Sequence, residues 1–534
     1  MTGWTFPDIL DAIAAATGDR AAIVQGERVL AWGELARRAD ALSRAFSRTA
    51  APGAKAAVLA RNAPEFLETY YAAFKAGLAP VNLNWRYGPF ELAHVLDDSG
   101  AEIVVFDRSF EAVAARTRDA TGARRWIGFG PDPAPWAEDY EEAIAQADAR
   151  APRHRPHADD VLLLYTGGTT GKPKGVVWRQ EDLIHVLGAG QDPVGPLPAM
   201  TDPAEAGPRA AAVAAGELEG RGPMITPAPL MHATALLTSL STLISGGTVV
   251  LCAGRSYDAA RMLDEAQARS ATVMTLAGQA FAAPLLEAMD AAPGRWPLPA
   301  LRRIGSSGTF WSVENKKGLL RHLPHVDLAD ALGSSEAVGI GSSVSSVGAV
   351  AEGARFAVGG DVQVFTTEGE AVVPGSGASG LLALSGRIPL GYHNDPAKTA
   401  QTFREIGGRR WSMPGDVATV DADGSIRLLG RGSSVINTGG EKVHPEEVEE
   451  ALKSHPGVRD ALVVGLPDPR FGEKVCALVE MASSAQADPE LLRSHVRERL
   501  APYKVPRLLL AGEVPRGPNG KADLAEARRL LSEG

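Results

Sequence analysis

The chain has 534 residues, 45% hydrophobic and 22% charged, with 54 Lys and Arg against 64 Asp and Glu for a formal net charge of −10. That length holds at least two domains with sizeable cores, the composition excludes global disorder, and the acidic balance leaves no broad cationic surface for a nucleic-acid backbone. The only cysteines, Cys252 and Cys476, build neither a disulfide framework nor a zinc ribbon, and the N-terminus carries acids where a signal peptide needs an apolar core. No apolar run is long enough to span a membrane, so the expectation is a cytoplasmic protein with reduced thiols.

In chain order, residues 35–47 and 65–76 carry apolar positions at a 3.6-residue period and predict helices. The runs EIVVFD (102–107), VLLLYT (161–166), GTVVLC (247–252) and ATVMTL (271–276) are short, β-branched and bounded by Gly, Asp or Ser. Followed by Ala-rich amphipathic stretches, they predict an α/β protein with buried, largely parallel strands. Residues 188–222 are rich in Gly, Pro, Ala and Glu without periodicity and predict a long loop or lid. From Pro445 the texture changes: an acidic helix start with Pro445, Glu446, Glu447 and Glu449, strands at 461–468 and 474–481, and a helix near 489–500. This describes a small α+β domain, and places the boundary between domains of 1–431 and 432–534.

The most informative segment is LLLYTGGTTGKPKGVVW (162–178), a strand running into a Gly/Thr loop with two lysines. Glycines let amides turn toward one point, threonine hydroxyls add donors, and Lys172 and Lys174 add charge, which is the chemistry of holding a polyphosphate. It is not a Walker loop, because Thr166 stands five residues before Gly171 and Pro173 follows Lys172. A solvated turn is the plain alternative, disfavoured by two threonines, two lysines and a strand in front. His154-x-x-His157 and His322-x-x-His325 lack further ligands at zinc spacing and read as surface loops. A G-x-S-x-G elbow and a dinucleotide fingerprint are both missing.

With YTGGTTGKPKG (165–175), PLMHA (229–233), SSGTF (306–310), ALGSSEA (331–337), WSMPGD (411–416), LLGRGSSVINTGGEKVHPEEVE (428–449) and PRGPNGKADL (515–524) in order, the sequence resembles the adenylate-forming enzymes. Among them it looks most similar to acyl-CoA synthetases of the actinobacterial steroid, terpenoid and long-chain type. The resemblance implies a large multi-layer adenylation domain, a small mobile C-terminal domain, and a two-step ligation of a carboxylic acid to coenzyme A through acyl-AMP.

It further implies that ATP, Mg²⁺ and coenzyme A are bound. Thr166, Thr169, Thr170 and Lys174 would cradle the pyrophosphate, Glu336 would hold Mg²⁺, and Ser335 would offer its hydroxyl to the α-phosphate. Gly308 and Leu332 would lie against the nucleotide, Leu332 where relatives often carry an aromatic ring. Asp416 would accept the ribose hydroxyls and Arg431 would bind ribose or phosphate. Lys521 would bridge carboxylate and α-phosphate during adenylation, Ser433 would act as hinge, and Thr438, Gly439, Gly440 and Glu441 would line the thiol channel. His232 and Ser307 would meet the acyl group.

Ala337, Asn437 and Ser433 depart from the residues usual at their positions and motivate a second reading, a partial ligase that only converts preformed acyl-adenylate to the thioester. A third is transfer of acyl-AMP to a carrier protein. Read on local pattern alone, Ser335-Glu336 would be a helix cap. A homodimer is expected only from the size class of relatives.

Overall fold

The computed structural model describes residues 3–132, 134–147, 154–166, 173–254, 256–308, 311–351, 354–431, 436–438, 441–468, 472–482, 488–500, 502–517 and 522–534. The chain divides into two compact units: Met1–Phe310, Leu319–Gly339 and Arg387–Gln401 form the first, and Trp311–Gly318, Ile340–Gly386 and Thr402–Gly534 the second.

The first unit is built on two sheets. In one, the order is Arg28–Ala31, Ala21–Gln25, Val249–Leu251, Met224–Thr226, Val273–Leu276, Arg303–Ser307 and Asp327–Ser334, parallel throughout except for the antiparallel edge pair 21–25 and 28–31. In the other, the order is Gly391–Tyr392, Lys174–Arg179, Val161–Thr166, Ala79–Asn82, Lys55–Leu59, Ala101–Asp107, Arg125–Phe129 and Glu138–Asp139. Here the pairings with Lys174–Arg179 are antiparallel and the rest are parallel.

Period-two alternation sorts the second sheet's side chains. Val58, Val105 and Leu164 join a large core with Met224, Val249 and the helices Phe6–Ala16, Trp32–Ser47, Pro64–Lys75 and Ala233–Ile244. Their neighbours Ala57, Val104 and Leu163 pack on the opposite face with Leu92, Val95 and Leu96 of the helix Pro89–Ser99. The predicted runs of both helices and strands therefore form as the sequence patterns indicate.

Residues 188–222 differ from the expected irregular loop. They contain a short 3₁₀ turn, Pro203–Glu205, and a helix, Ala206–Ala214, that buries Ala206 and Ala210 in the core shared with Phe6 and Ile13. Alanines at a four-residue spacing pack a helix closely, but they carry too little contrast for an amphipathic pattern to stand out in sequence.

In the second unit, antiparallel strands that include Ser379–Ser385, Arg409–Ser412, Asp416–Val420 and Ile426–Arg431 enclose Phe365, Ala383, Trp411 and Met413. Sheet membership changes after Arg431. The strands Ile436–Thr438, Glu441–Val443, Val458–Asp468, Gly472–Met481 and Leu508–Ala511 form a sheet of their own. One face packs on the helices Pro445–Lys453 and Pro489–Arg497 through Val463 and Ala477, and the other on Leu524–Glu533 through Leu462 and Cys476. Both cysteines are free thiols. Among the described residues, no helix is long and apolar enough to cross a membrane.

Candidate active site

Parallel strands deliver the segments that follow them to one edge of the sheet, where ligands bind in open α/β architectures. In the first sheet the strands ending at Thr226, Leu276, Ser307 and Ser334 therefore bring residues 227–232, Gly308 and Ser335-Glu336 to a common edge. Ser307 lies in register with Ala331, the neighbour of Leu332. Gly308 adopts φ of +86°, and a Cβ there would lie 3.4 Å from Thr234 Oγ1 at the start of the helix Ala233–Ile244. His232, half-buried, is the N-cap of that helix. Ser307, Gly308 and His232 thus belong to one neighbourhood.

Two asparagines hold this edge together. Asn82 is 3% exposed; its amide donates to Tyr165 O (2.9 Å) and Met231 O (2.7 Å), and its oxygen accepts from Tyr165 N (2.8 Å). Asn62 makes the same two-sided bond to Ala228 O (2.9 Å) and Leu230 N (2.7 Å). Neither was singled out in the sequence, although Asn82 is a polar residue closing the buried strand APVN, which is a readable sign of a satisfied internal donor.

The Gly/Thr segment follows the strand Val161–Thr166, which pairs antiparallel with Lys174–Arg179 and sets Thr166 directly opposite Lys174. Thr169 and Thr170 lie outside the described residues. Lys174 is ion-paired with Asp395, and its ammonium stands 5.9 Å from the centre of the Tyr392 ring. The Lys174 ammonium and the backbone amide of Lys398 hold the Asp395 carboxyl below the usual carboxylate range. The Tyr392 hydroxyl donates to Glu336 Oε1 at 2.8 Å. Trp178, fully buried, donates its indole N–H to Ser335 O at 2.9 Å.

Ser335 and Glu336 occupy the turn between the strands Asp327–Ser334 and Ala337–Ser345, so the helix-cap alternative does not apply. Lys174 and Glu336, far apart in sequence, share the side chain of Tyr392.

In the second unit, Asp416 and Arg431 are direct partners across the antiparallel ladder, Asp416 half-buried. The Arg431 side chain, Ser433, Gly439, Gly440 and Lys521 lie outside the described residues; Thr438 is buried on the strand Ile436–Thr438.

A cleft of about 150 Å³ opens beside the same edge, lined by Arg61, Trp85, Arg86, Cys252, Tyr257 and Arg261 among others. Two guanidiniums, Arg61 and Arg86, each stand 4.9 Å from the centre of the Trp85 ring. Burial lowers the Arg86 pKa and pushes the Cys252 thiol up to about 12, so Cys252 is not a nucleophile at neutral pH. The cleft, rich in arginine and aromatic side chains and also lined by Asp258 and Glu265, has little trace in the sequence; only its place after two strands and the pair Trp85-Arg86 hint at it.

Among the described residues no group of three or more His, Cys, Asp or Glu converges as a metal site. His154 bonds Asp160 (3.2 Å) and His322 bonds Asp290 (2.6 Å), His322 as the last residue of the helix Val313–His322 rather than in a loop.

Residues 10–390 match the family described as AMP-binding enzyme, and residues 447–521 match the AMP-binding enzyme C-terminal domain. The chain is 35% identical over 538 residues to a 3-oxocholest-4-en-26-oate--CoA ligase of Rhodococcus rhodochrous, covering 98% of this chain and 95% of that one. It is also 35% identical over 560 residues to the medium-chain acyl-CoA ligase Mig of Mycobacterium avium, covering 100% and 99%. In fold it is similar to the crystal structure of the anthranilate CoA ligase AuaEII in complex with anthranoyl-AMP, with a TM-score of 0.84 at 21% identity over 99% of this chain and 98% of that one.

Proposed function

The chain belongs to the AMP-binding enzyme family, and on that footing we propose that it is an AMP-forming acyl-CoA ligase whose acid is bulky and apolar, of the steroid, terpenoid or medium to long-chain class. The observation that carries the reading is the convergence of Lys174 and Glu336 on Tyr392 beside the phosphate loop. End-to-end similarity to ligases of a cholestenoate and of medium-chain acids supports the acid class.

In the first half-reaction a carboxylate oxygen attacks the α-phosphorus of ATP, the bond from that phosphorus to the bridging oxygen breaks, and pyrophosphate leaves with the electron pair. Thr166, Thr169, Thr170 and Lys174 hold the departing phosphates, Ser335 donates to the α-phosphate, and Lys521 balances charge between carboxylate and phosphorus. Asp416 and Arg431 fix the ribose, and Leu332 gives adenine an aliphatic wall. In the second, the sulfur of coenzyme A attacks the acyl carbonyl, its proton passes to solvent, and the bond to AMP breaks. The resemblance assigns Lys521 to the first half-reaction and Thr438, Gly439 and Gly440 to the second, with Ser433 as the hinge between them.

Among the described residues no three His, Cys, Asp or Glu converge, and Mg²⁺ carried in on ATP phosphates needs no such cluster, since it takes one or two carboxylates and leaves the rest of its shell to phosphate and water. Glu336 would be such a carboxylate, and the ion would supply charge neutralisation at the leaving phosphates. The cleft at Arg61, Trp85 and Arg86 suits the phosphorylated adenosine end of coenzyme A, while His232 and Ser307 border the acyl group and Gly308 the nucleotide.

The test is a paired assay on purified protein: AMP formation from ATP, Mg²⁺, coenzyme A and a panel of fatty, aryl, steroid and terpenoid acids, beside thioester formation from the matching acyl-adenylates. Turnover in both supports the complete ligase. Activity with adenylates alone would overturn it in favour of a partial enzyme, and acceptance of a holo-carrier in place of coenzyme A would redirect the second step. Lys521→Ala should suppress the first assay and leave the second.

A further inference from the structure

The segment 390–395 has no assigned role, yet it touches both groups that the nucleotide needs. It is stitched to the strand after the phosphate loop: Leu390 N donates to Val177 O (2.9 Å), Gly391 and Tyr392 pair with Val177 and Val176, and His393 N donates to Gly175 O (2.8 Å). Its own shape is equally fixed. Gly391 has φ of +149°, and a Cβ there would meet Thr399 Cγ2 at 2.5 Å, so no other residue fits without movement. Thr399 Oγ1 accepts from Tyr392 N (2.9 Å) and donates to Asp395 O (2.8 Å), and Asn394, with φ of +53°, is tied by its amide to Asp98 O (2.8 Å). The Tyr392 side chain therefore leaves a backbone pinned on both sides.

We propose that Tyr392 is a positioning residue for magnesium-bound ATP: its hydroxyl fixes the Glu336 carboxylate, and its ring stations the Lys174 ammonium, so that the metal-binding and phosphate-binding groups keep a set spacing before ATP arrives. The inference rests on the reading of Glu336 as the Mg²⁺ carboxylate. The physical case is preorganisation. A carboxylate on a two-residue turn has several rotamers, and a hydrogen bond from a donor on a rigid strand selects one of them. The Lys174 ammonium, ion-paired with Asp395, stands within about 6 Å of the ring centre and gains a second attraction from its negative face.

Equilibrium binding of ATP to the full-length protein, read by titration calorimetry with and without Mg²⁺, separates the outcomes. Tyr392→Phe keeps the ring and loses the hydroxyl. The expected result is ATP affinity about five-fold weaker at saturating Mg²⁺, the half-saturating Mg²⁺ concentration raised, and binding in EDTA equal to wild type. Because the effect runs through Glu336, Tyr392→Phe should add nothing on a Glu336→Gln background. A loss of equal size in EDTA, an undiminished affinity in Mg²⁺, or additive effects in the double variant would overturn the proposal. Should Glu336→Gln itself keep the wild-type Mg²⁺ dependence, the reading of Glu336 fails instead, independently of what Tyr392 does.

Discussion

Lys174 and Asp395, 221 residues apart, form an ion pair in which Asp395 also accepts from the amide of Lys398 and so caps the helix Pro396–Thr402. The Lys174 side chain is 41% exposed and that of Asp395 29%, and a pair this open to water stabilises the fold by only about 0–1 kcal/mol. Its consequence is for the proposed function: the carboxylate shares the ammonium assigned to the ATP phosphates. Asp395→Asn keeps the cap and removes the charge. ATP should then bind about two- to three-fold more tightly, with an unchanged melting temperature, whereas Lys174→Ala should weaken binding at least ten-fold. Since Asp395 is held below the usual carboxylate range, the pair persists above that range and is lost only as pH falls through the lowered value. The Asp395→Asn to wild-type affinity ratio should thus be constant from about pH 6 to 8 in calorimetric titrations.

Arg86 and Arg61 both stand against the Trp85 ring in the cleft beside the carboxyl edge. Arg86→Ala should raise KM for coenzyme A about ten-fold, leaving acid-dependent exchange of pyrophosphate into ATP at the wild-type rate. An equal fall in both assays would remove the cleft from the second half-reaction.

Asn82→Ala would strand the buried Tyr165 N–H and the Met231 carbonyl that Asn82 now satisfies. A cost of about 2–4 kcal/mol is expected in urea unfolding. Adenylation should slow as well, because Asn82 joins the strand leading into the phosphate loop to the loop before His232.

Arg38 meets Glu68 at 2.7 Å and Glu141 at 2.8 Å, and the Glu68 side chain is fully buried. Burial pushes the Glu68 carboxyl up to about 7, against the pull of Arg38. Arg38→Ala leaves that carboxylate buried without its counter-ion and should destabilise the protein by about 3–5 kcal/mol near neutrality. The sign of the pH dependence follows. A folded pKa above the unfolded one means the folded state holds the proton more firmly, so stability falls as pH rises between the two values. Without Arg38 the folded pKa climbs further, and the variant's loss should be smaller at pH 5.5 than at pH 8 in parallel denaturant titrations.

The candidate residues of the site were readable in the sequence because they stand in local order as recognisable types. A strand, glycines, threonines and Lys174 sit within a dozen residues, and Glu336 stands in a compact ALGSSEA segment. The strand and helix runs of the first sheets were legible for a related reason: buried parallel strands need continuous β-branched stretches, and those survive any choice of neighbours.

Long-range partners leave no such trace. GYHNDP carries nothing in its own pattern to say that its tyrosine reaches Glu336 and its aspartate Lys174, since those contacts follow from an edge strand pairing with Lys174–Arg179. Likewise Asn82 became a clamp only when parallel pairing set its strand beside the one ending at Thr166, and the alanines of Ala206–Ala214 became a helix face only against Phe6 and Ile13. The sequence by itself determined which groups are present and what they can do; the tertiary structure alone decided their spacing, because hydrogen bonds and ion pairs require a contact of about 3 Å that no periodicity in the chain encodes.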